Sequence, residues 1–268
     1  MRNKAIRFFS ALRSQHLQFM EMLTFLMIVL AFTSCRSQLK YGVGNMHQYT
    51  VGKGNDTISD LMIQQLISVY HDSLSKSMLQ NLAFSKTAMT KDIPEGNLGN
   101  YCADACFRVA TKLCREQQLP KADFLFLNNG GLRSSLPAGY ITIGHVYELM
   151  PFENELVMVK LNRKETDSLL TIIASKGGAP ISGIRLNIPA GAPVGFSLTN
   201  SSASDKEEYY VITSDYLASG NDGFKFLQAK TPYRLNIKVR DALIADLTEF
   251  GHRNDTLNIL KDGRISKQ

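Results

Sequence analysis

The feature that most constrains this sequence is an irregular alternation, from about residue 60 onward, of helix-like and strand-like segments. In the helix-like segments, of which residues 98–114 are the clearest, apolar residues recur every three or four positions. The strand-like segments are short and apolar, as at residues 123–128, 156–161 and 209–213. No internal repeat is present. The pattern predicts a single domain of the mixed α/β (α+β) class, with a mixed sheet and flanking helices.

Further elements follow from the same two patterns. We predict additional strands at residues 79–88, 181–188 and 233–239. We predict additional helices at residues 60–74, 143–149, 164–174 and 241–250. Residues 91–97, which contain Pro94 and Gly96, and residues 190–207, which are rich in Gly, Ser and Ala, are predicted to be loops. A chain of 268 residues is long enough to bury a core within one such domain.

The first 34 residues have the pattern of a secretory signal peptide. Four basic residues precede an uncharged, mostly apolar run from Leu23 to Ser34, which is too short to span a bilayer as a mature helix. Cys35 follows Thr33 and Ser34, as in a bacterial lipobox, although Phe32 replaces the usual aliphatic residue. We therefore expect Cys35 to be lipidated. An ordinary signal peptide that contains a cysteine is the alternative.

These features divide the chain into a signal peptide, a tether and a folded domain, at residues 1–34, 35–56 and 57–268. The basic segment is long, so Met20 and Met22 stay open as alternative starts, although either would discard the positive charges. Residues 36–40 contain no acidic residue. We expect an exported, membrane-anchored lipoprotein that faces the periplasm from the outer membrane.

The charge and the cysteines argue against two classes of function. The formal net charge is +6, but four of the basic residues precede residue 35, and no basic stripe with interleaved aromatics is present. A nucleic acid polymer is therefore not an expected partner. Cys102 and Cys106 share a helix face, yet no pair of histidines is near enough in sequence to complete a metal site. We expect them, with Cys114, to be buried core residues.

Four stretches contain more glycines and polar residues than packing requires, at residues 95–105, 128–133 with 144–154, 181–185 and 213–224. Glycines let a backbone approach a ligand closely, and Arg133 after them offers a planar fork to phosphate or carboxylate. Phe152 and Tyr216 lie in loops and suit a base stacked between two rings. Asp222, in a turn, is suited to accept hydrogen bonds from two adjacent hydroxyls, as on a ribose. These groups predict a ligand pocket if they converge.

Each of these residues also has a purely structural interpretation. Asp222 lies in Asn-Asp-Gly, which is a common turn sequence. Phe152 and Tyr216 are also consistent with core aromatics, and Arg133 with a surface ion pair of little energetic consequence. Taken one at a time these interpretations are as good as the functional one, but they weaken when the residues are taken together.

At these residues the sequence resembles the C-terminal domain of the 5'-nucleotidase, UDP-sugar hydrolase and 2',3'-cyclic-nucleotide phosphodiesterase family. Three segments carry the resemblance, in the family's order: Asn-x-Gly-Gly-hydrophobic-Arg, Pro-Phe-x-Asn and Ser-Gly-x-Asp-Gly-Phe, at residues 128–133, 151–154 and 219–224. The resemblance runs from about residue 57 to residue 250. It implies a nucleotide-binding, substrate-specificity domain that acts in nucleotide catabolism.

The resemblance implies which residues hold the base. Phe152 and Tyr216 resemble the two rings that sandwich it, although the second ring is more often Phe. Asn154 resembles the residue that hydrogen-bonds the base edge, and Gly183 a glycine whose backbone lines the base pocket. Asn221 stands where the family usually has a second glycine.

The resemblance also implies how the rest of the nucleotide is held. Asp222 resembles the acceptor for the ribose hydroxyls, and Arg133 and Asn128 the residues at the phosphate or sugar side. An arginine that usually precedes the segment at Glu95 is missing. Lys91 could substitute for it, with a less suitable geometry for phosphate.

Enzymes of this family place two metals in a separate N-terminal domain, held by Asp-x-His, Gly-Asp and Gly-Asn-His signatures. The histidines lie in none of these motifs; they are His16, His47, His71, His145 and His252. The resemblance therefore implies that this chain binds no cofactor and holds no catalytic residue. A separate metallophosphoesterase chain would supply divalent metals, and this chain alone would be inactive. The alternatives are a stand-alone nucleotide- or nucleoside-binding lipoprotein and a domain with only a structural role.

Overall fold

The structure is a computed structural model, and the residues it describes are 20, 22–27, 63, 65, 67, 68, 74, 76–199 and 206–267. The chain divides into two compact units, Met1–Ile58 and Ser59–Gln268. In the first unit Met20 and residues 22–27 are helical, and the predicted lipidation site Cys35 and the tether lie outside the described residues. None of the described helices is long and apolar enough to cross a membrane.

In the second unit the described part of the predicted helix at residues 60–74 is helical, and the strands and helices that follow match the predicted order closely. The helices are α1 Asn97–Glu116, α2 Ile143–Leu149, α3 Arg163–Ser175, α4 Asp215–Ala218 and α5 Val239–His252. The strands are β1 Asn81–Ser85, β2 Phe124–Phe126, β3 Gly139–Thr142, β4 Glu155–Asn162, β5 Ile181–Ser182, β6 Ile184–Ile188, β7 Gly195–Leu198, β8 Glu208–Ser214, β9 Tyr233–Lys238, β10 Thr256–Leu257 and β11 Ile265–Lys267.

A five-stranded sheet in the order β5-β2-β8-β4-β9 organises the domain. β2 and β8 run parallel, and the other neighbours run antiparallel, so the predicted mixed sheet is confirmed. Two three-stranded sheets, β10-β1-β3 and β11-β6-β7, accompany it. The sequence predicted one mixed sheet, and the structure contains this sheet and two smaller ones.

Buried side chains divide between the two faces of the central sheet, as period-two alternation requires. Leu125, with Ile212 and Met158, packs into the core that includes α1 and α5. Phe124 and Val211 point the other way, into the core beneath α3. Helices therefore cover both faces of the sheet, and polar side chains gather where the strands end.

Helix α1 shows why the cysteines are buried. Cys102 and Cys106 are fully buried and Cys114 is 1% exposed, which confirms the prediction that they are core residues. All three are free thiols. Burial raises the pKa of each thiol, so they stay protonated and inert.

Two predictions between residues 181 and 207 need correction. The predicted strand 181–188 is broken at Gly183, whose φ of +81° lets the chain leave β5 and continue as β6 in another sheet. The predicted loop 190–207 contains β7, which pairs with β6 so that Leu198 lies opposite Ile184. The Gly- and Ser-rich composition obscured the short apolar alternation of Phe196 and Leu198.

Candidate functional site

The strand register places six of the seven predicted binding residues near one edge of the central sheet. β2 and β8 are parallel, so Asn128 and Tyr216 follow strands that end at the same edge. β4 is antiparallel to β8, with Leu156 opposite Ser214, so the residues that precede β4 also lie there. These residues include Phe152. Loops at strand ends carry the ligand groups in many α/β folds.

Asp222 is the centre of a hydrogen-bonded cluster at this edge. Its Oδ2 accepts a hydrogen bond of 2.7 Å from Nδ2 of Asn128, which is 94 residues earlier in the chain. Its Oδ1 accepts one of 3.2 Å from the hydroxyl of Tyr216. The negative charge of Asp222 and this hydrogen bond raise the pKa of Tyr216. Three residues that the sequence predicted to act on one ligand are therefore in direct contact.

Local backbone geometry holds Asn128 and Asp222 in place. A Cβ atom at Gly131 would lie 2.9 Å from Oδ1 of Asn128, so a glycine is needed there for the amide to take this position. Asp222 has a φ of +53°, in the left-handed region that aspartate tolerates better than most residues. The turn interpretation of Asn-Asp-Gly is thus correct, and the same turn presents the carboxylate to Asn128.

Asp215 connects the segments that carry Tyr216 and Phe152. Its Oδ1 accepts hydrogen bonds from the backbone N–H of Tyr216, at 2.7 Å, and from the backbone N–H of Glu155, at 3.1 Å. The first group belongs to the short helix α4, which directly follows β8, so the prediction that Tyr216 lies in a loop is wrong. The second group lies at the start of β4. One carboxylate oxygen therefore fixes the spacing between the segments that carry Tyr216 and Phe152.

The loop that carries Phe152 is anchored by ionic contacts. Arg240 is buried, and its guanidinium contacts Glu153 and lies 3.5 Å from the backbone oxygen of Phe152. Lys238 also pairs with Glu153. Hydrogen bonds from Lys238 and then from Arg240 lower the pKa of Glu153 to about 2. The ring of Phe152 is nevertheless 40% exposed, so neither it nor Tyr216, at 38%, is a core aromatic.

Asn154 lies between this loop and β4. Its backbone oxygen accepts a hydrogen bond of 2.8 Å from Val239. Its side-chain amide has no hydrogen-bond partner within the ranges that the structure describes, and the residue is half-buried. The amide is therefore available to a ligand, as a base-edge contact requires.

Cationic side chains border the turn at residues 129–131. Arg133 is exposed and forms no ion pair with any described residue, and its Nη1 lies 3.4 Å from the backbone oxygen of Gly130. Nζ of Lys91 donates a hydrogen bond of 2.8 Å to the backbone oxygen of Leu132. Lys91 therefore brings a positive charge to the side of the site where the sequence lacks the family's usual arginine.

A cavity of about 210 Å³ opens beside Asp222. Its lining includes Asn128, Gly130, Lys176 and Phe224. Sequence reasoning singled out neither Lys176 nor Asp215, because each is an ordinary charged residue in a helix or at a helix end. A larger groove, of about 680 Å³, runs along α1 and α5 but contains none of the predicted residues.

Gly183 is the one predicted residue that the structure does not bring to this edge. Ser182 pairs with Leu125, so Gly183 lies towards the amino end of β2, away from Asn128. A Cβ atom there would lie 2.8 Å from the backbone oxygen of Asp123. The glycine is explained by this close approach and by its positive φ.

No group of three or more His, Cys, Asp or Glu side chains suited to a metal ion occurs among the described residues. His145 has a structural role, since its Nδ1 accepts a hydrogen bond of 3.1 Å from the backbone N–H of Thr142 and so caps α2. His252 is the last residue of α5.

Comparison with known proteins identifies the family of this domain. Residues 75–229 match the family model of the 5'-nucleotidase C-terminal domain. A 5'-nucleotidase of Vibrio vulnificus is 30% identical over 146 residues, which are 53% of this chain and 26% of that protein. A trifunctional nucleotide phosphoesterase of Bacillus subtilis is 30% identical over 146 residues, which are 48% of this chain and 10% of that protein.

The fold agrees as well. A 5'-nucleotidase precursor from Thermus thermophilus superposes with a TM-score of 0.62 and 24% identity, over 78% of this chain and 43% of that one. The chain thus spans only a minor part of the length of each of these relatives. The family model nevertheless matches more than half of the chain, so the chain belongs to the family of 5'-nucleotidase C-terminal domains.

Proposed function

We propose that this domain binds a nucleotide and acts as the substrate-specificity component of a 5'-nucleotidase-type hydrolase in nucleotide catabolism. The observation that carries the proposal is the contact of Asn128 and Tyr216 with Asp222, at the sheet edge that also carries Phe152. These groups come from segments that are distant in sequence, and packing alone does not require them to meet.

The base is proposed to stack between the rings of Phe152 and Tyr216, both of which are partly exposed. The side-chain amide of Asn154, which is half-buried, is proposed to read the base edge. Asp222 accepts hydrogen bonds from the ribose hydroxyls, because each of its oxygens has a lone pair beyond the one used by Asn128 or Tyr216.

The phosphate side is proposed to lie towards Arg133, with Lys91 as a second cation. Arg133 is exposed, which leaves its planar guanidinium available for a bidentate contact with phosphate. The ammonium of Lys91 is a point charge with less directional preference. We therefore expect the nucleoside to supply more of the binding specificity than the phosphate does.

The hydrolytic centre is proposed to belong to a separate metallophosphoesterase chain. Two divalent metals there would activate the attacking water and stabilise the phosphoryl oxygens. This chain would hold the base and ribose so that the phosphate reaches that centre, since positioning makes a large contribution to catalysis. The alternative is a lipoprotein that binds nucleotide or nucleoside without any hydrolytic partner. The hydrolysis experiment described at the end of this section distinguishes the two functions.

We also propose that the chain is an exported lipoprotein, anchored through Cys35 at the periplasmic face of the outer membrane. The support is the apolar run from Leu23 to Ser34 and the cysteine that directly follows it. Metabolic labelling with a fatty acid, compared between the wild type and Cys35→Ser, tests this. Labelling of both proteins alike would contradict the assignment.

The hydrolase proposal is tested by purifying the chain from its native membrane and identifying a metallophosphoesterase among the proteins bound to it. Phosphate release from AMP and UMP is then measured with each protein alone and with both. We expect little release by this chain alone and faster release by the mixture than by the partner. A mixture no faster than the partner contradicts the split enzyme. Nucleotide binding without a partner supports the stand-alone lipoprotein.

A further inference from the structure

Both carboxylate oxygens of Asp222 already have a donor from the protein. The amide of Asn128 is hydrogen-bonded to one oxygen at 2.7 Å, and the hydroxyl of Tyr216 to the other at 3.2 Å. Both donors are neutral groups, so neither of them compensates the negative charge of the carboxylate. It is therefore hydrogen-bonded whether or not a sugar hydroxyl reaches it.

Tyr216 is also fixed through its backbone. Its N–H donates to Oδ1 of Asp215 at 2.7 Å, and its carbonyl accepts from Nδ2 of Asn221 at 2.8 Å. Tyr216 and Asn221 are the two residues in this turn that depart from the family pattern. Each departure adds one hydrogen bond within residues 216–222. The turn is thereby organised around the contact of Tyr216 with Asp222.

This arrangement bears on how strongly the site selects one sugar over another. A site rejects an analogue that lacks a hydroxyl mainly because the protein group left without its partner stays unpaired. If Asp222 had no protein donors, a missing ribose hydroxyl would leave a charged oxygen without a partner beneath the bound ligand. With Tyr216 in place, that oxygen keeps its partner.

On the basis of the proposed nucleotide-binding function, we propose that the Tyr216 hydroxyl makes this site tolerant of deoxyribose. Ribonucleosides and 2'-deoxyribonucleosides then bind with similar affinity. Tyr216 is in this sense a specificity-determining residue, in addition to its ring providing a stacking surface. A tyrosine hydroxyl is protonated at neutral pH, so it can donate this hydrogen bond to Asp222 under physiological conditions.

The test is calorimetric titration of the full chain with two matched ligand pairs, adenosine with 2'-deoxyadenosine and uridine with 2'-deoxyuridine. In the wild type we expect the two members of a pair to differ by no more than about tenfold in Kd. In Tyr216→Phe, which keeps the ring, we expect the preference for the ribonucleoside to increase by about tenfold. Tyr140→Phe removes a hydroxyl from a tyrosine that is 62% exposed and outside the site, and should leave the ratio unchanged.

The outcomes separate the inference from the function on which it rests. If no nucleoside binds to the folded wild type, the proposed function fails and the inference fails with it. If ribonucleosides bind but deoxyribonucleosides bind more than about tenfold more weakly, only the inference is overturned. An unchanged ratio in Tyr216→Phe would overturn the assignment to this hydroxyl.

Discussion

Two aspartates, Asp246 and Asp222, accept hydrogen bonds in this domain in contrasting ways. The side chain of Asp246 is 5% exposed and pairs with Arg108 through two hydrogen bonds of 2.8 Å. Asp222 is half-buried and is held by the neutral groups of Asn128 and Tyr216. The charge of Asp246 is neutralised within the fold, whereas that of Asp222 is retained at an open edge. The ion pair of Asp246 stabilises the fold, whereas the carboxylate of Asp222 is suited to bind a ligand.

The comparison predicts the largest effect at Asp246. In Asp246→Asn, Arg108 loses its counter-charge and the hydroxyl of Tyr101 loses a carboxylate acceptor. The side chain of Arg108 is 49% exposed, so solvent screens part of this loss, and we expect the free energy of unfolding to fall by about 2 kcal/mol. Denaturant unfolding measures this. Asp167→Asn is the matched control, since Asp167 pairs with Arg163 on the surface and should change stability by at most about 0.5 kcal/mol. Equal effects of the two substitutions would contradict the structural role of Asp246.

A smaller effect is expected at the ligand edge. Phe152→Ala removes one proposed stacking ring and should weaken nucleotide binding roughly tenfold, because base stacking on an aromatic ring contributes about 1–3 kcal/mol. Stability should change little, because the ring is 40% exposed. Phe84→Ala, at a ring on β1 that is 43% exposed, is the control for calorimetric titration. If both variants bind AMP as tightly as the wild type, Phe152 does not contact the base.

The smallest effect concerns Glu153, which anchors the loop of Phe152. Its pKa in the folded chain is lowered from 4.5 to about 2, so its ion pairs with Lys238 and Arg240 stabilise the fold fully above pH 4.5. That stabilisation is lost as the pH falls towards 2. The difference in unfolding free energy between the wild type and Glu153→Gln should therefore be constant at neutral pH and should shrink below pH 4.5. A difference that is the same at pH 3 and pH 7 would refute this.

Much of the fold could be predicted from local pattern. Residues 143–149 are helical as predicted, and α1 and β4 extend their predicted segments by only one or two residues at either end. Short strands were not predicted where too few residues are present to show the alternation of apolar and polar side chains that is typical of a strand. β3, β10 and β11 have four residues or fewer and depend on pairing with distant strands, which a local pattern cannot show.

The site was predictable as a set of residues but not as a set of contacts. Motif order singled out Asn128 and Asp222, yet nothing in the local sequence shows that the amide of one contacts the carboxylate of the other. Asp215 was missed because its role is to connect α4 with the start of β4, which depends on the register of β4 and β8. Gly183 resembles a glycine of the family's base pocket, but the structure places it away from the edge, where it allows a close approach to the backbone oxygen of Asp123.

The most direct test of the account is calorimetric titration of the full chain with AMP and adenosine, for the wild type and for Asp222→Asn. Asparagine adopts the left-handed backbone readily, but its single oxygen can accept from only one of Asn128 and Tyr216, so we expect a folded protein with a loss of stability of about 1 kcal/mol. We predict one-site binding by the wild type and roughly tenfold weaker binding by Asp222→Asn, because the hydrogen bonds lose their charged acceptor. Equal affinities in two folded proteins would show that Asp222 does not contact the ligand. They would contradict the central claim.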